Sequence, residues 1–255
     1  MGSASPSRTS QAVALTRAGM TRPCTAEGDP DAQRRLCEGM QPLRRPRAGI
    51  LPRTRFFDGQ VLAAISAGMP QVVICGAGYD DRALRFRSPG VRFFELDHPV
   101  TQADKARRLR DMDADLRGVA LAPADFRDDD AAAVLAAAGH DASLPTLFLC
   151  EGLLIYLDRA VILRLLAGLR SRAAGLSSLA ASIGTHPEGL ASGQVAAALN
   201  SDRRHGDTEP WLTVLPVSGW LQLLAEAGWR AESQADPRRG TAGEGRSLLV
   251  VARPG

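Results

Sequence analysis

QVVICGAGYDDRALRFRSPGVRFFELDHP, residues Gln71 to Pro99, reads as a short apolar strand, a glycine turn, a helix and a second strand that ends in acid. Val72 to Cys75 is a β-branched apolar run of the kind that fills a buried strand. Gly76 and Gly78 follow where the chain turns sharply and a Cβ would crowd the backbone. Asp80 is expected to cap the helix that starts there. The second strand, Val91 to Leu96, delivers Glu95 and Asp97 about 20 residues beyond the turn, where nucleotide-binding α/β folds place a carboxylate for ribose hydroxyls. Asp97 is the first choice because the strand's end is free of ladder constraints, and Glu95, on the same face, is the reserve.

The turn, GAGYDD, has G-x-G but carries Asp81 where a dinucleotide fingerprint requires its third glycine. That glycine permits close helix packing around a pyrophosphate, and acidic residues at a helix start suit a bound phosphate poorly. S-adenosylmethionine has no phosphate and carries a sulfonium, so it is the better expectation. A lone G-x-G is otherwise only a strand-to-helix turn.

Three further segments extend the pattern: PRTRFFD at Pro52 to Asp58, ADFRD at Ala124 to Asp128, and PTLFLCEGLLIYL at Pro145 to Leu157. With GAGYDDRALRF and FELDHP, followed by Thr101, Gln102 and Lys105, the chain resembles the leucine carboxyl methyltransferase-like family of class I S-adenosylmethionine-dependent methyltransferases, in its bacterial small-molecule branch. SQAVALTRA at Ser10 to Ala18 is similar, more loosely, to the helix that caps the pocket in bacterial members. The resemblance runs over roughly residues 10 to 170, in the family's order.

It implies a doubly wound, Rossmann-like α/β sheet of seven strands in the order 3-2-1-4-5-7-6, the last strand inserted antiparallel beside the fifth. Apolar runs near 71–75, 91–96, 118–122, 145–150, 177–183, 229–234 and 247–252 supply the strands, with helices near 80–87, 99–111, 130–138, 158–173 and 216–227. The resemblance also assigns roles. Gly76 and Gly78 bring backbone to the methionine part of the cofactor, Asp125 and Phe126 contact its adenine, and Glu151 lines it near the reacting centre. Arg53 carries a guanidinium fork suited to the cofactor's α-carboxylate, as the family's matching arginine does. Tyr156 fits a hydrogen-bonding role near the pocket as well as a packed helix start.

At 255 residues and 45% hydrophobic content, the chain is long enough for one well-buried α/β domain with a modest cap. The expected division is a cap segment at 1–50 and a cofactor-binding domain at 51–255, with 185–215 inserted as a lid over the strand ends. No apolar run approaches the ~20 residues of a membrane span, and the first residues lack the apolar core of a secretory signal. A cytoplasmic protein with no membrane partner is expected. Cys24, Cys37, Cys75 and Cys150 lack metal-ligand spacing and are expected to be reduced core residues. The net charge is +3, with Lys105 the only lysine. Arg34, Arg35, Arg44, Arg45, Arg47, Arg53 and Arg55 cluster without interleaved aromatics, which argues against nucleic acid and fits either a solvated connector or a mouth for an anionic substrate.

No nucleophile triad, metal cluster or phosphate loop is evident. Methyl transfer from a sulfonium is a direct displacement that gains most from alignment in a water-poor pocket. A carboxylate acceptor is already ionised at neutral pH and needs no base. The first reading is carboxyl O-methylation of a small-molecule or natural-product acid, in secondary metabolism, by a monomer or homodimer. The alternatives are O-, C- or S-methylation with His186 or His205 as base, and an inactive cofactor-binding sensor or assembly protein.

Overall fold

A computed structural model describes residues 5–41, 49–201, 209–235 and 246–255. Seven strands form one sheet: β1 (Gln71–Cys75), β2 (Arg92–Asp97), β3 (Val119–Pro123), β4 (Thr146–Cys150), β5 (Ser178–Thr185), β6 (Trp229–Ala235) and β7 (Arg246–Pro254). Their order is β3-β2-β1-β4-β5-β7-β6. β1 to β5 run parallel, and β7 lies antiparallel between β5 and β6. The expected topology is the observed one.

Every residue of β1 and β4 is buried, as strands covered on both faces require. Successive side chains feed two cores. Val73, Cys75, Phe148 and Cys150 pack with Val161, Ile162, Leu165, Leu166 and Leu169 of α7 (Arg159–Ser171) and with Trp220, Leu223 and Leu224 of α9 (Val217–Glu226). Val72, Ile74, Leu147 and Leu149 pack on the other side with Phe57, Val61 and Ala64 of α3 (Ile50–Ser66). A third cluster joins Ala14 of α1 (Arg8–Ala18) to Ala32 and Leu36 of α2 (Ala32–Leu36), Tyr79, and Leu109 of α5 (Pro99–Asp111).

α3 is a 17-residue helix in a stretch read from the sequence only as a motif. Its buried positions are Ile50, Thr54, Phe57, Asp58, Val61 and Ala64, a helical repeat with a threonine and an aspartate on the covered face. Those two break the apolar period by which helices are recognised. Pro52 sits in the first turn, where a missing N–H does no harm. α2 and α8 (Ser192–Ser201) are further helices beyond those expected, α8 within the 185–215 stretch. α6 (Ala131–Ala137) and α7 begin at aspartate caps: Asp130 accepts from the Ala132 N–H at 2.9 Å and Asp158 from the Val161 N–H at 2.9 Å. Asp80, expected as a cap, lies one residue too early. The cap position of α4 (Arg82–Arg85) belongs to Asp81, and Asp80 closes a turn by accepting from the Arg82 N–H at 2.9 Å.

Register sets the strand ends level. Cys75 stands opposite both Leu96 and Cys150, and Leu96 opposite Ala122. The chain therefore leaves β1, β2, β3 and β4 along a single edge, at Gly76, Asp97, Ala124 and Glu151. Shortening Leu166, fully buried on α7 in the core shared with α9, should cost about 2–5 kcal/mol as Leu166→Ala. Asp158→Ala should cost only about 1 kcal/mol through its lost cap. Urea unfolding followed by circular dichroism will give both values.

Candidate functional site: a strand-edge cavity over a buried arginine network

A cavity of about 460 Å³ opens along that edge. Arg53, Gly76, Asp97, Asp125, Phe126, Glu151 and Tyr156 all line it. Residues at the start of α1 and the stretch Glu209 to Leu212 close it from above.

Beneath the cavity the acidic residues of the turn and of β4 meet arginines. Glu151 Oε2 takes Arg17 at 2.7 Å and Arg82 at 2.8 Å, while Oε1 takes Arg53 Nε at 2.9 Å. Asp80 bridges Arg17 at 3.1 Å and Arg82 at 2.6 Å. Asp58 holds Arg22 at 2.9 Å and Arg82 at 2.7 Å, and Asp81 holds Arg22 and Arg85 at 2.6 Å each. Five guanidiniums face four carboxylates, which leaves one net positive charge in the cluster. Apart from Arg53, whose side chain is 20% exposed, the members are almost fully enclosed.

Burial works against ionised Glu151, but Arg17, Arg82 and Arg53 outweigh it and hold its carboxyl well below the usual range. Asp80 is held at about 2 in the same way, burial being overcome by Arg82 and Arg17. Asp97 is displaced upward by burial, against the N–H groups of Gly78 and His98.

The acidic residues of GAGYDD thus pair with the protein's own arginines. The expectation that they favour a cationic ligand is replaced by this pairing. Of the arginines grouped in the sequence, Arg34 and Arg35 pair with Asp31 and Asp29 at the surface, Arg55 is exposed, and Arg53 lines the cavity. Arg44, Arg45 and Arg47 lie outside the described residues, as does His205.

Arg53 is the member that remains available. Its Nε is fixed on Glu151, while Nη1 and Nη2 have no acceptor among the described residues. A Cβ on Gly152, which has φ +63°, would stand 3.3 Å from both. Glycine therefore leaves the fork uncovered. At Gly76, with φ +66°, a Cβ would approach Leu153 to 3.0 Å, so the turn keeps its backbone bare toward the cavity. A bidentate cation for a carboxylate, bare turn backbone and a strand-end aspartate form a donor set that fits S-adenosylmethionine.

Gly78, Glu95 and His186 do not line the cavity. The Gly78 N–H donates to Asp97 Oδ2 at 2.5 Å, and a Cβ there would strike Ser10 Cβ at 2.6 Å, so Gly78 orients Asp97 and lets α1 approach. Glu95 is buried in an ion pair with Lys105, whose Nζ also donates to the Asp80 carbonyl at 2.6 Å. This partner removes the reserve ribose ligand from the cavity. His186 is buried, with Nδ1–H donating to the Pro187 carbonyl at 2.7 Å and Nε2 accepting from Ser192 Oγ at 2.9 Å. Both ring nitrogens are occupied, which removes it as a base. Cys37, Cys75 and Cys150 are buried and Cys24 half-buried, all as free thiols. Among the described residues no group of side chains could hold a metal ion, and no helix is long and apolar enough to cross a membrane.

Sequence reasoning missed Arg17, Arg22, Arg82 and Arg85. Their signal is indirect: four buried carboxylates, on α3, the glycine turn and the end of β4, require cations within reach. His98 and Glu209 also line the cavity unforeseen.

Residues 10–170 match the sequence pattern of leucine carboxyl methyltransferases. The chain belongs to the leucine carboxyl methyltransferase family. Its relatives include two proteins named as candidate S-adenosyl-L-methionine-dependent methyltransferases. One, from Frankia alni, is 36% identical over 209 residues, covering 80% of this chain and 69% of the relative. The other, from Streptomyces avermitilis, is 36% identical over 198 residues, covering 76% and 66%. They place this family member among the S-adenosylmethionine-dependent methyltransferases. The fold recurs in a candidate methyltransferase from Thermobifida fusca, with TM-score 0.61 and 16% identity over 98% of this chain and 95% of that one. It recurs also in magnesium protoporphyrin IX methyltransferase from Synechocystis with bound SAH, with TM-score 0.56 and 14% identity over 88% and 94%.

Asp58→Asn should lower stability by about 3–5 kcal/mol, because Arg22 and Arg82 lose a buried counter-charge. Removing the exposed Arg107–Asp111 pair should cost under about 1 kcal/mol. Denaturant titration at neutral pH compares the two. Glu151 and Asp80 have folded values below their unfolded ones. Each therefore contributes stability at pH above about 4 that is lost as pH falls toward about 2. Thermal midpoints measured from pH 6 to pH 2 should drop steeply in that interval, and a flat profile would contradict the pairing.

Proposed function

We propose that this family member methylates a carboxylate oxygen of a small-molecule or natural-product acid by direct displacement. The observation that supports cofactor binding at this edge is Arg53, with Nε tied to Glu151 and both Nη atoms open beside Gly152; the carboxylate acceptor is supported by the histidine chemistry. In this reading the fork holds the cofactor's α-carboxylate, Asp97 accepts from the ribose hydroxyls, and Asp125 and Phe126 meet the adenine. When bound, S-adenosylmethionine supplies an electrophilic methyl group on a sulfonium sulfur that leaves with the electron pair of the broken bond.

The protein's own part is alignment and exclusion of water. Residues 5–17 and 209–212 cover the strand edge and serve as cap and lid. A carboxylate acceptor needs no proton removed, and the histidine chemistry agrees. His98 lines the cavity, but its Nδ1 accepts from the Val100 N–H at 3.4 Å. The remaining ring nitrogen then carries the hydrogen in the neutral ring and donates instead of accepting. In this reading Tyr156, which lines the cavity, donates a hydrogen bond to the acceptor.

Incubation with methyl-labelled S-adenosylmethionine and a panel of acids, phenols and keto acids should yield label that alkali releases. Alkali-stable label would rule out an ester. Asp97→Ala should weaken S-adenosylhomocysteine binding by about 1–3 kcal/mol by calorimetry. Arg53→Lys, which keeps the charge and loses the fork, should also weaken it.

A further inference from the structure

The cavity has a second wall that the cofactor assignments leave unused. It consists of Ser7, Thr9 and Ser10 at the start of α1, Tyr156, and Glu209 with Leu212. Glu209 is the acidic side chain of that wall. Its Oε1 accepts from Ser7 Oγ at 2.8 Å, and Oε2 has no partner among the described residues. The two chain segments beside the carboxylate are each anchored. Ser7 is anchored through its N–H to Thr101 Oγ1 at 3.2 Å, and the Leu212 N–H is anchored on the Ile155 carbonyl at 2.8 Å. Thr9, 7% exposed, lines the same wall, and its buried Oγ1 also has no hydrogen-bond partner among the described residues. Two polar groups on this wall, Glu209 Oε2 and Thr9 Oγ1, therefore have no partner among the described residues.

A fixed carboxylate repels an acidic acceptor unless that acceptor brings a donor of its own. We propose that Glu209 is a specificity residue that selects acids carrying a hydroxyl or ammonium group, which donates to Oε2. This rests on the carboxyl-methylation reading and adds the substrate class: hydroxy acids or amino acids. The nucleophilic carboxylate then lies away from Glu209, and the donor group fixes which way round the molecule sits. Glu209 is solvent-exposed, so the discrimination takes its size from the hydrogen bond between its charged carboxylate and the donor group of the acceptor.

The test uses the full chain loaded with S-adenosylhomocysteine and matched trios of acids that differ only at the α-carbon. Butanoate, 2-hydroxybutanoate and 2-aminobutanoate form one trio, and 3-phenylpropanoate, 3-phenyllactate and phenylalanine another. Calorimetry should show a donor-bearing member binding roughly ten- to hundredfold more tightly than its plain acid. Glu209→Gln and Glu209→Ala should bring that ratio within about threefold of unity, with S-adenosylhomocysteine affinity kept. Ser7→Ala, which removes the anchor and leaves the carboxylate, should reduce the ratio less. The proposal is overturned if no trio member binds, if wild type shows no preference, or if the preference survives in both Glu209 variants. Turnover with labelled S-adenosylmethionine separates the two layers. Alkali-stable label sinks the carboxyl reading itself, whereas alkali-labile label with no donor preference sinks only the role of Glu209.

Discussion

Four buried carboxylates and the arginines that surround them hold the rest of the molecule in relation. Glu151 ends the central strand β4 and receives guanidiniums from α1, α3 and α4 at once. Enclosed ions of this kind are costly to leave alone and satisfied only in good geometry. The network is therefore less a source of net stability than a specification of where three helices sit. Arg82, fully buried and shared among Asp58, Asp80 and Glu151, is its hub. The single excess positive charge emerges at Arg53, toward the cavity.

Much of the fold was legible because the decisive signals were local. Val72 to Cys75 and Leu147 to Cys150 are apolar runs of strand length bounded by turn residues, and a parallel sheet buries such runs on both faces. The strand ends followed from the same runs together with the family resemblance, which between them placed Gly76, Asp97, Asp125 and Glu151. α3 was hidden for the opposite reason: Thr54 and Asp58 are polar residues on its buried side, put there by Arg17, Arg22 and Arg82 from elsewhere in the chain. Helical periodicity reports on apolar faces only.

Charge was the least legible property. Asp80 and Asp81 looked like groups that would meet a ligand, and they meet arginines. Glu95 and Asp97 lie on one face by alternation, and only the buried Lys105 separates a structural ion pair from a cavity-lining carboxylate. The one lysine of the chain is thus among its most enclosed side chains. Arginine frequency hid this economy, because a sequence with arginines on every segment gives no hint which few are interior. His186 shows the same limit: its partners, Pro187 and Ser192, are near in sequence, yet their hydrogen bonds appear only once the loop is folded.

The hydrogen bond from Ser7 to Glu209 joins positions 202 apart, and Arg53 reaches Glu151 across 98. Contacts of such separation are late to form, since the chain between must be ordered before they repay it. α1 can pack on α2, Tyr79 and Leu109 and pair with Asp80 as soon as those are made, yet its contacts with Glu151 and Glu209 wait for residues synthesised much later. The sheet can assemble in the order of synthesis while the roof over its edge waits. During that interval the glycine turn stands open to other chains, a window in which early ligand or chaperone contact would count most.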